Sequence, residues 1–378
     1  MDTTGYIGID RLAAIPIKYW KMHEFCFFMH DSMAQLLVEC QSSGAHNVVA
    51  DALQNVLSER QEDLDGLDVL DFLKKTDVEL YRQHIVGQVV VALTSDMLHF
   101  MYECLVCFEK RKFSVGFALL RKPLKEHLLY LSWILADETD FIARFESKNY
   151  ETLNKVTKER RIEIYQKAIE KLAMPDAFDA GLIWDIIYSK NHSNGFDPVC
   201  QRATHLITSM GELLRTEDYS FNFIFEDSSE DHYYEFLYSK FPYLLIFITQ
   251  IVFEAFNRIS AINERTFSQF LIVTMGSYEA LFLKSRPRGV ISMIKRYLEP
   301  LLTCTHCDAP LKITKKNAPL LFLAENIHCV NCGLLAEVPL HWLLSKAKIN
   351  ITRKQTSEQG NASRMNRRQS MAASDLTS

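Results

Sequence analysis

Thr76 to Lys112, TDVELYRQHIVGQVVVALTSDMLHFMYECLVCFEKRK, decides the fold class. Leu80, Ile85, Val89, Ala92, Met97, Met101, Leu105 and Phe108 follow the spacing of one helix face, not the alternation of a strand. Thr76-x-x-Glu79 predicts a capping box at its start. Lys110-Arg111-Lys112 closes the tract with the cations that a helix C-terminus favours.

The same texture extends outward in both directions. Helical patterns are predicted over 18–41, 45–62, 113–137, 139–172 (two charged helices), 178–192 and 196–214, the last two flanking the loop His192-Ser193-Asn194-Gly195. Further helices are expected over 231–260, 264–284 and 290–302, and only 10 Pro and 13 Gly punctuate the chain. Between them lies an acidic stretch in which Phe221, Phe223 and Phe225 alternate, read as a short strand or a surface loop. The expected fold is mainly α: a multi-helix bundle over 1–302, a small β zinc ribbon over 303–350 and a disordered tail over 351–378. The tail is rich in Ser, Thr, Gln, Arg and Asn and too poor in large apolar residues to order itself.

The 378 residues suffice for a sizeable core, and 48% hydrophobic with 24% charged residues is ordinary for a globular chain. The first residues, MDTTGYIGID, carry neither a basic region nor a long apolar run, so no signal peptide is expected. Cys26, Cys40, Cys104, Cys107 and Cys200 show no disulfide spacing, which predicts a reducing, cytoplasmic setting. The most apolar segment, Phe241 to Phe256, contains Gln250 and Glu254 and is short for a bilayer span; a buried core helix is predicted and no membrane. Net charge is −5, with −10 on the first 300 residues, +2 on 301–350 and +3 on 351–378. A basic C-terminal end on an acidic body fits an anionic partner or a solvated tail.

Cys304-x2-Cys307 and, after 21 residues, Cys329-x2-Cys332 have the spacing of one tetrahedral Zn²⁺ site. Four thiolates leave no open position for water, so the metal is read as structural, not catalytic. Gly333 follows the second pair where a positive φ is expected, and Asp308 takes that place after the first. His306 and His328 are adjacent alternative ligands. Strands are predicted over Leu311–Thr314, Leu320–Ala324 and Leu334–Val338, with a turn at Lys315-Lys316-Asn317. The ribbon is then a stapled contact module or, through Lys312, Lys315 and Lys316 together with the basic tail, a nucleic-acid binder. Cys104-x2-Cys107 lies mid-helix and reads as two packed residues, not as a redox or metal motif.

Two further segments stand out: Ala118 to Leu129, ALLRKPLKEHLL, and Tyr188-Ser189-Lys190-Asn191-His192. Over about residues 80–260 they resemble a set of uncharacterised bacterial helical proteins of HEPN-like type, which carry an LLR-P-x-x-E helix and a later histidine segment. Aligned on Pro123, Lys122 stands where those proteins carry Arg, while Glu126 and His192 match the acid and the histidine. The resemblance implies a possible polar site from Lys122, Glu126 and His192, against an ion pair plus a loop histidine, and a homodimer. HEPN ribonucleases use Arg-x(4–6)-His, which Arg121-x5-His127 matches here; six residues along one helix place those side chains about 120° apart. No phosphate loop, dinucleotide turn, metalloprotease helix or nucleophile elbow is present. The expected function is a non-enzymatic binding or regulatory protein acting on nucleic acid or a protein partner. The competing expectation is a metal-independent ribonuclease or toxin using His192 or Arg121 and His127.

Overall fold

The computed structural model describes residues 2–42, 69–148, 151–190, 195–208, 213–216, 231–284 and 289–347. The predicted helix at 45–62, the loop at 192–194, the phenylalanine alternation at 221–225 and the tail at 351–378 lie outside these residues.

The described chain is mainly helical. It begins with α1 (Ile9–Leu12) and a 3-10 turn, then α2 (Trp20–Ser42), α3 (Val69–Thr76) and α4 (Val78–Glu109). The periodic tract is thus one helix of 32 residues, Val78–Glu109. Its cap is not the predicted box. Thr76 ends α3 and its hydroxyl donates back to Phe72 O at 2.8 Å, while Asp77 accepts from Leu80 N at 3.0 Å. Asp137, Thr157, Asp179 and Asn263 cap later helices in the same way. Each such cap contributes about 1 kcal/mol.

The predicted helix over 113–137 is divided into α5 (Phe113–Lys122), a π-helical turn at Pro123–His127 and α6 (Leu128–Ala136). Pro123 has no N–H for the α-helical ladder, and Leu128 N closes on its carbonyl five residues back. Then come α7 (Glu138–Glu146), α8 (Glu151–Asn154), α9 (Lys158–Ile169), α10 (Ala180–Tyr188), α11 (Phe196–Ala203), α12 (His232–Ile259), α13 (Glu264–Phe282) and α14 (Val290–Leu298). In α6 every residue but Tyr130 is buried, and α12 is buried on almost all sides. These two helices are the centre around which α2, α4, α5 and α9 pack.

By length and composition alone, α4 and α12 are apolar enough to cross a membrane. In α12, 83% of that apolar window is buried inside the protein, as the core-helix expectation required. In α4 the figure is 39%, but its exposed positions include Gln83, Gln88, His99 and Glu103.

Two buried polar devices hold the N-terminal segment. The Glu24 carboxylate accepts from Thr3 Oγ1 (2.6 Å) and from the backbone amides of Thr4, Gly5 and Tyr6 (2.7, 2.9 and 3.0 Å). Glu109 is gripped by Arg11, whose Nε lies 3.0 Å and Nη2 2.5 Å from one oxygen. His23 stands 3.4 Å from the same oxygen, with its other nitrogen 2.6 Å from Tyr238 Oη. Burial drives the His23 pKa below its ordinary value, against the opposing pull of Glu109. A histidine lowered in the folded state binds fewer protons there than in the unfolded chain. Its share of stability is therefore complete above the unfolded value of about 6.5 and lost as pH falls below it. Melting temperature should thus fall less between pH 7.5 and 5.5 in His23→Gln than in wild type. Equal slopes would contradict this assignment.

The C-terminal segment departs most from its predicted strands. Leu320–Ala324 is not a strand but part of α15 (Ala318–Ala324). Pro319 suits a first helical turn, and the run Leu320 to Leu323 is buried on every side, which a ribbon strand with one wet face could not be. Leu311–Thr314 also forms no strand. Leu311 N bonds Leu302 O (3.0 Å) around the first cysteine pair, and Ile313 N bonds Glu299 Oε2 (2.8 Å). The one described sheet pairs β1 (Asn326–His328) with β2 (Leu335–Glu337), antiparallel, with Ile327 opposite Ala336. Only β2 was anticipated. A last helix, α16 (Leu340–Lys346), follows.

This segment shares a core with the helical body. Ile272, Val273 and Ala280 of α13 pack with Ile291 and Ile294 of α14 and with Leu321, Phe322 and Ile327. A Cβ on Gly276 would fall within overlap distance of the Phe322 ring, so only glycine lets α15 seat there. Lys315 bonds the Leu283 carbonyl at the end of α13.

Candidate metal centre

The two cysteine pairs form matching turns. His306 N lies 3.4 Å from Cys304 Sγ, and Asn331 N lies 3.4 Å from Cys329 Sγ. Asp308 N donates to Cys304 O and Gly333 N to Cys329 O, both at 2.9 Å. Cys304 N closes on Ala309 O (2.8 Å) and Cys329 N on Leu334 O (2.9 Å). The tight return puts Asp308 at φ 56° and Gly333 at φ 74°, the left-handed conformation expected at both places.

All four sulfurs lie within 4.8 Å of one another, and Cys304–Cys332 and Cys307–Cys329 are each 3.7 Å apart. A tetrahedral metal with bonds near 2.3 Å needs sulfur–sulfur edges of about 3.8 Å. The separations exclude disulfides, whose S–S bond is about 2.0 Å. The four thiols therefore fit a metal ion as its complete ligand set.

Their electrostatics ask for one. The Asn331 side-chain amide, donating to Cys307 Sγ at 3.4 Å, and the Ala309 backbone amide bring the Cys307 thiol down to about 6. Cys332 moves up to about 11. The Leu334 amide opposes that rise, but burial and the three neighbouring sulfurs outweigh it. One thiolate forms readily and the next resists, because like charges at this spacing need a cation between them.

His306 and His328, the alternative ligands, are used otherwise. His306 Nε2 lies 3.1 Å from Leu335 O, tying the first turn to β2, and His328 sits within β1. Asn331 was not anticipated. Its only sequence signal is a polar residue between the paired cysteines. Cys104 and Cys107 are buried in α4, and burial raises both thiols, as packed residues should behave.

Of the residues singled out in the helical body, Lys122 and His127 share one partner, and Lys122 and Glu126 both act electrostatically on His127. Lys122 Nζ and His127 Nε2 both meet Asp96 Oδ2, at 2.6 and 2.8 Å. Asp96 sits on α4 and had no motif to mark it. His127 Nδ1 is buried without a partner, and burial lowers this imidazole's pKa despite Asp96. Glu126 acts electrostatically on Tyr130 and Tyr188, and Arg121 on Cys200 of α11. No hydrogen bond or ion pair joins Arg121 to His127 among the described residues. His192 lies outside the described residues. The two flagged segments nevertheless meet: Tyr188 Oη donates to Lys125 O at 2.8 Å.

No protein-family model, no curated protein and no solved structure matches this chain.

Proposed function

We propose that the four cysteines hold a structural Zn²⁺ and that the protein is a non-enzymatic binding protein whose C-terminal module contacts nucleic acid. Lys295, Arg296 and Lys312 supply the observation that carries this reading. With Glu299 they line a groove of about 430 Å³ between α14 and the segment after the first cysteine pair; Lys295 is paired with Glu299 at 3.8 Å, which leaves Arg296 and Lys312 as the cations without a carboxylate partner among the described residues. Exposed Tyr297 neighbours one of these cations, with the Arg296 guanidinium 5.7 Å from its ring centroid. Cations with a neighbouring aromatic face suit a phosphate backbone and an unstacked base. Of the three ribbon lysines picked from sequence, Lys312 reaches this groove and Lys315 is spent on Leu283 O.

Binding is favoured over ribonuclease action because His127 Nδ1 is sealed from solvent and Nε2 is engaged by Asp96. A closed four-thiolate set offers no water for hydrolysis.

Fluorescence anisotropy with labelled single-stranded RNA tests the reading. Affinity should fall with salt, and Arg296→Glu and Lys312→Glu should each weaken binding and flatten the salt slope by about one unit. The RNA should be recovered intact. Unchanged affinity in both variants, or cleavage lost in His127→Ala, would reject it.

A further inference from the structure

A second cavity, of about 460 Å³, opens on the helical body where α9, α10 and α11 approach the π turn. Its lining carries four cations, Lys125, Lys158, Arg161 and Lys190, against two carboxylates, Asp185 and Asp197. Lys125 already neutralises Asp197, at 2.5 Å. Lys158 and Arg161 have no carboxylate partner among the described residues. They rest on aromatic rings instead, Lys158 4.0 Å from the Trp184 centroid and Arg161 4.5 Å from that of Tyr188.

Two donors in this wall are unsatisfied. Arg161 Nε and the Trp184 indole N–H are buried and neither has a hydrogen-bond partner. Neither nitrogen is itself open to the cavity, but a buried donor left unpaired costs about 1–3 kcal/mol, which favours a small side-chain shift toward an acceptor held there. The surplus is positive, the missing groups are acceptors, and no ion pair must break at Lys158 or Arg161 for one to enter. A tetrahedral oxyanion meets all three conditions, since it offers several acceptor atoms and negative charge at once. Asp185, which forms no ion pair among the described residues, lies on the same wall and would accept from a hydroxyl of the same ligand.

The construction of the wall is local. Pro123 forces the π turn, the turn carries Lys125, and Tyr188 Oη grips the Lys125 carbonyl at 2.8 Å. Behind it Tyr165 Oη stands 3.1 Å from Tyr188 Oη, fixing the ring on which Arg161 lies.

We propose that this cavity binds the phosphate group of a hydroxyl-bearing small molecule, with Arg161, Lys158 and Lys190 as its cationic contacts. The site is distinct from the C-terminal groove and does not depend on it.

Isothermal titration of the full-length protein with inorganic phosphate, AMP and adenosine tests the proposal. Phosphate and AMP should saturate at one site per chain and adenosine should not bind. AMP should bind tighter than phosphate, with the margin lost in Asp185→Ala; equal affinities would overturn the hydroxyl-bearing ligand. Arg161→Gln should weaken binding by about tenfold, the loss of one charge-assisted hydrogen bond. Exposed Lys190→Gln provides a second, structurally benign variant with the same direction. Binding should be unchanged in Arg296→Glu/Lys312→Glu. The proposal is overturned by adenosine binding as well as AMP, by no saturable heat from either anion at millimolar concentration, by wild-type affinity in both cavity variants, or by loss of binding in the C-terminal double variant.

Discussion

With zinc in the four-cysteine site as proposed, Cys329→Ser should reduce the bound metal to well below one ion per chain and expose residues 303–347 to proteolysis, while α12 and its neighbours remain folded. Cys329 is buried at the centre of the second turn and supplies one of four sulfurs in a set with edges of 3.7 Å. Serine cannot replace a soft thiolate, and three sulfurs leave the tetrahedron open. The structured part of this segment has one three-residue hairpin and two helices of seven residues, too little to fold without a staple. Structural zinc contributes about 10–16 kcal/mol to comparable small modules near neutral pH, more than any single contact here. Metal analysis by mass spectrometry, with limited proteolysis, reads both halves of the result. Full zinc content in Cys329→Ser would contradict the four-cysteine assignment. A chelator added to wild type should reproduce the proteolytic pattern without any mutation.

Glu24→Gln should be the most damaging conservative change in the helical body, costing about 3 kcal/mol or more. The side chain is fully buried and its two oxygens receive three backbone amides and one hydroxyl. An amide keeps the shape but turns one acceptor into a donor, which then faces the N–H groups it formerly received. Residues 3–6 would lose the carboxylate that anchors their backbone on α2, leaving the Tyr6 hydroxyl, which donates to Asp31 at 2.9 Å. Denaturant unfolding of Glu24→Gln should show a lower midpoint with little change in slope. Hydrogen exchange should show early loss of protection at Thr4, Gly5 and Tyr6. A midpoint equal to wild type would show that the carboxylate is dispensable.

The helical class was legible because long periodic tracts such as Val78–Glu109 bury one face regardless of their partners. The four-cysteine cluster was legible because its members pair closely in sequence and soft-metal chemistry is confined to few residue types. Errors came where tertiary contact overrode local pattern. LLFL at 320–323 reads equally as strand or buried helix; the fit of Phe322 over Gly276 settles it, and that pairing is 46 residues apart. The Thr76 cap shifted by one residue because two helices abut there and Asp77 starts the second. The cavity was half legible. Segments 118–129 and 188–192 were flagged, but Arg161, Trp184 and Asp197 carry no motif and reach the cavity only through helix packing.

The seating of Phe322 on Gly276 makes the metal module and the helical bundle parts of one equilibrium. If zinc holds α15 in place, it also holds the face of α13 that α15 covers. By reciprocity, anything that shifts α13 must alter metal affinity by the same factor that metal alters the shift. A partner gripping the bundle could then loosen or tighten the ion without touching a sulfur, and zinc supply could set how readily the bundle changes shape.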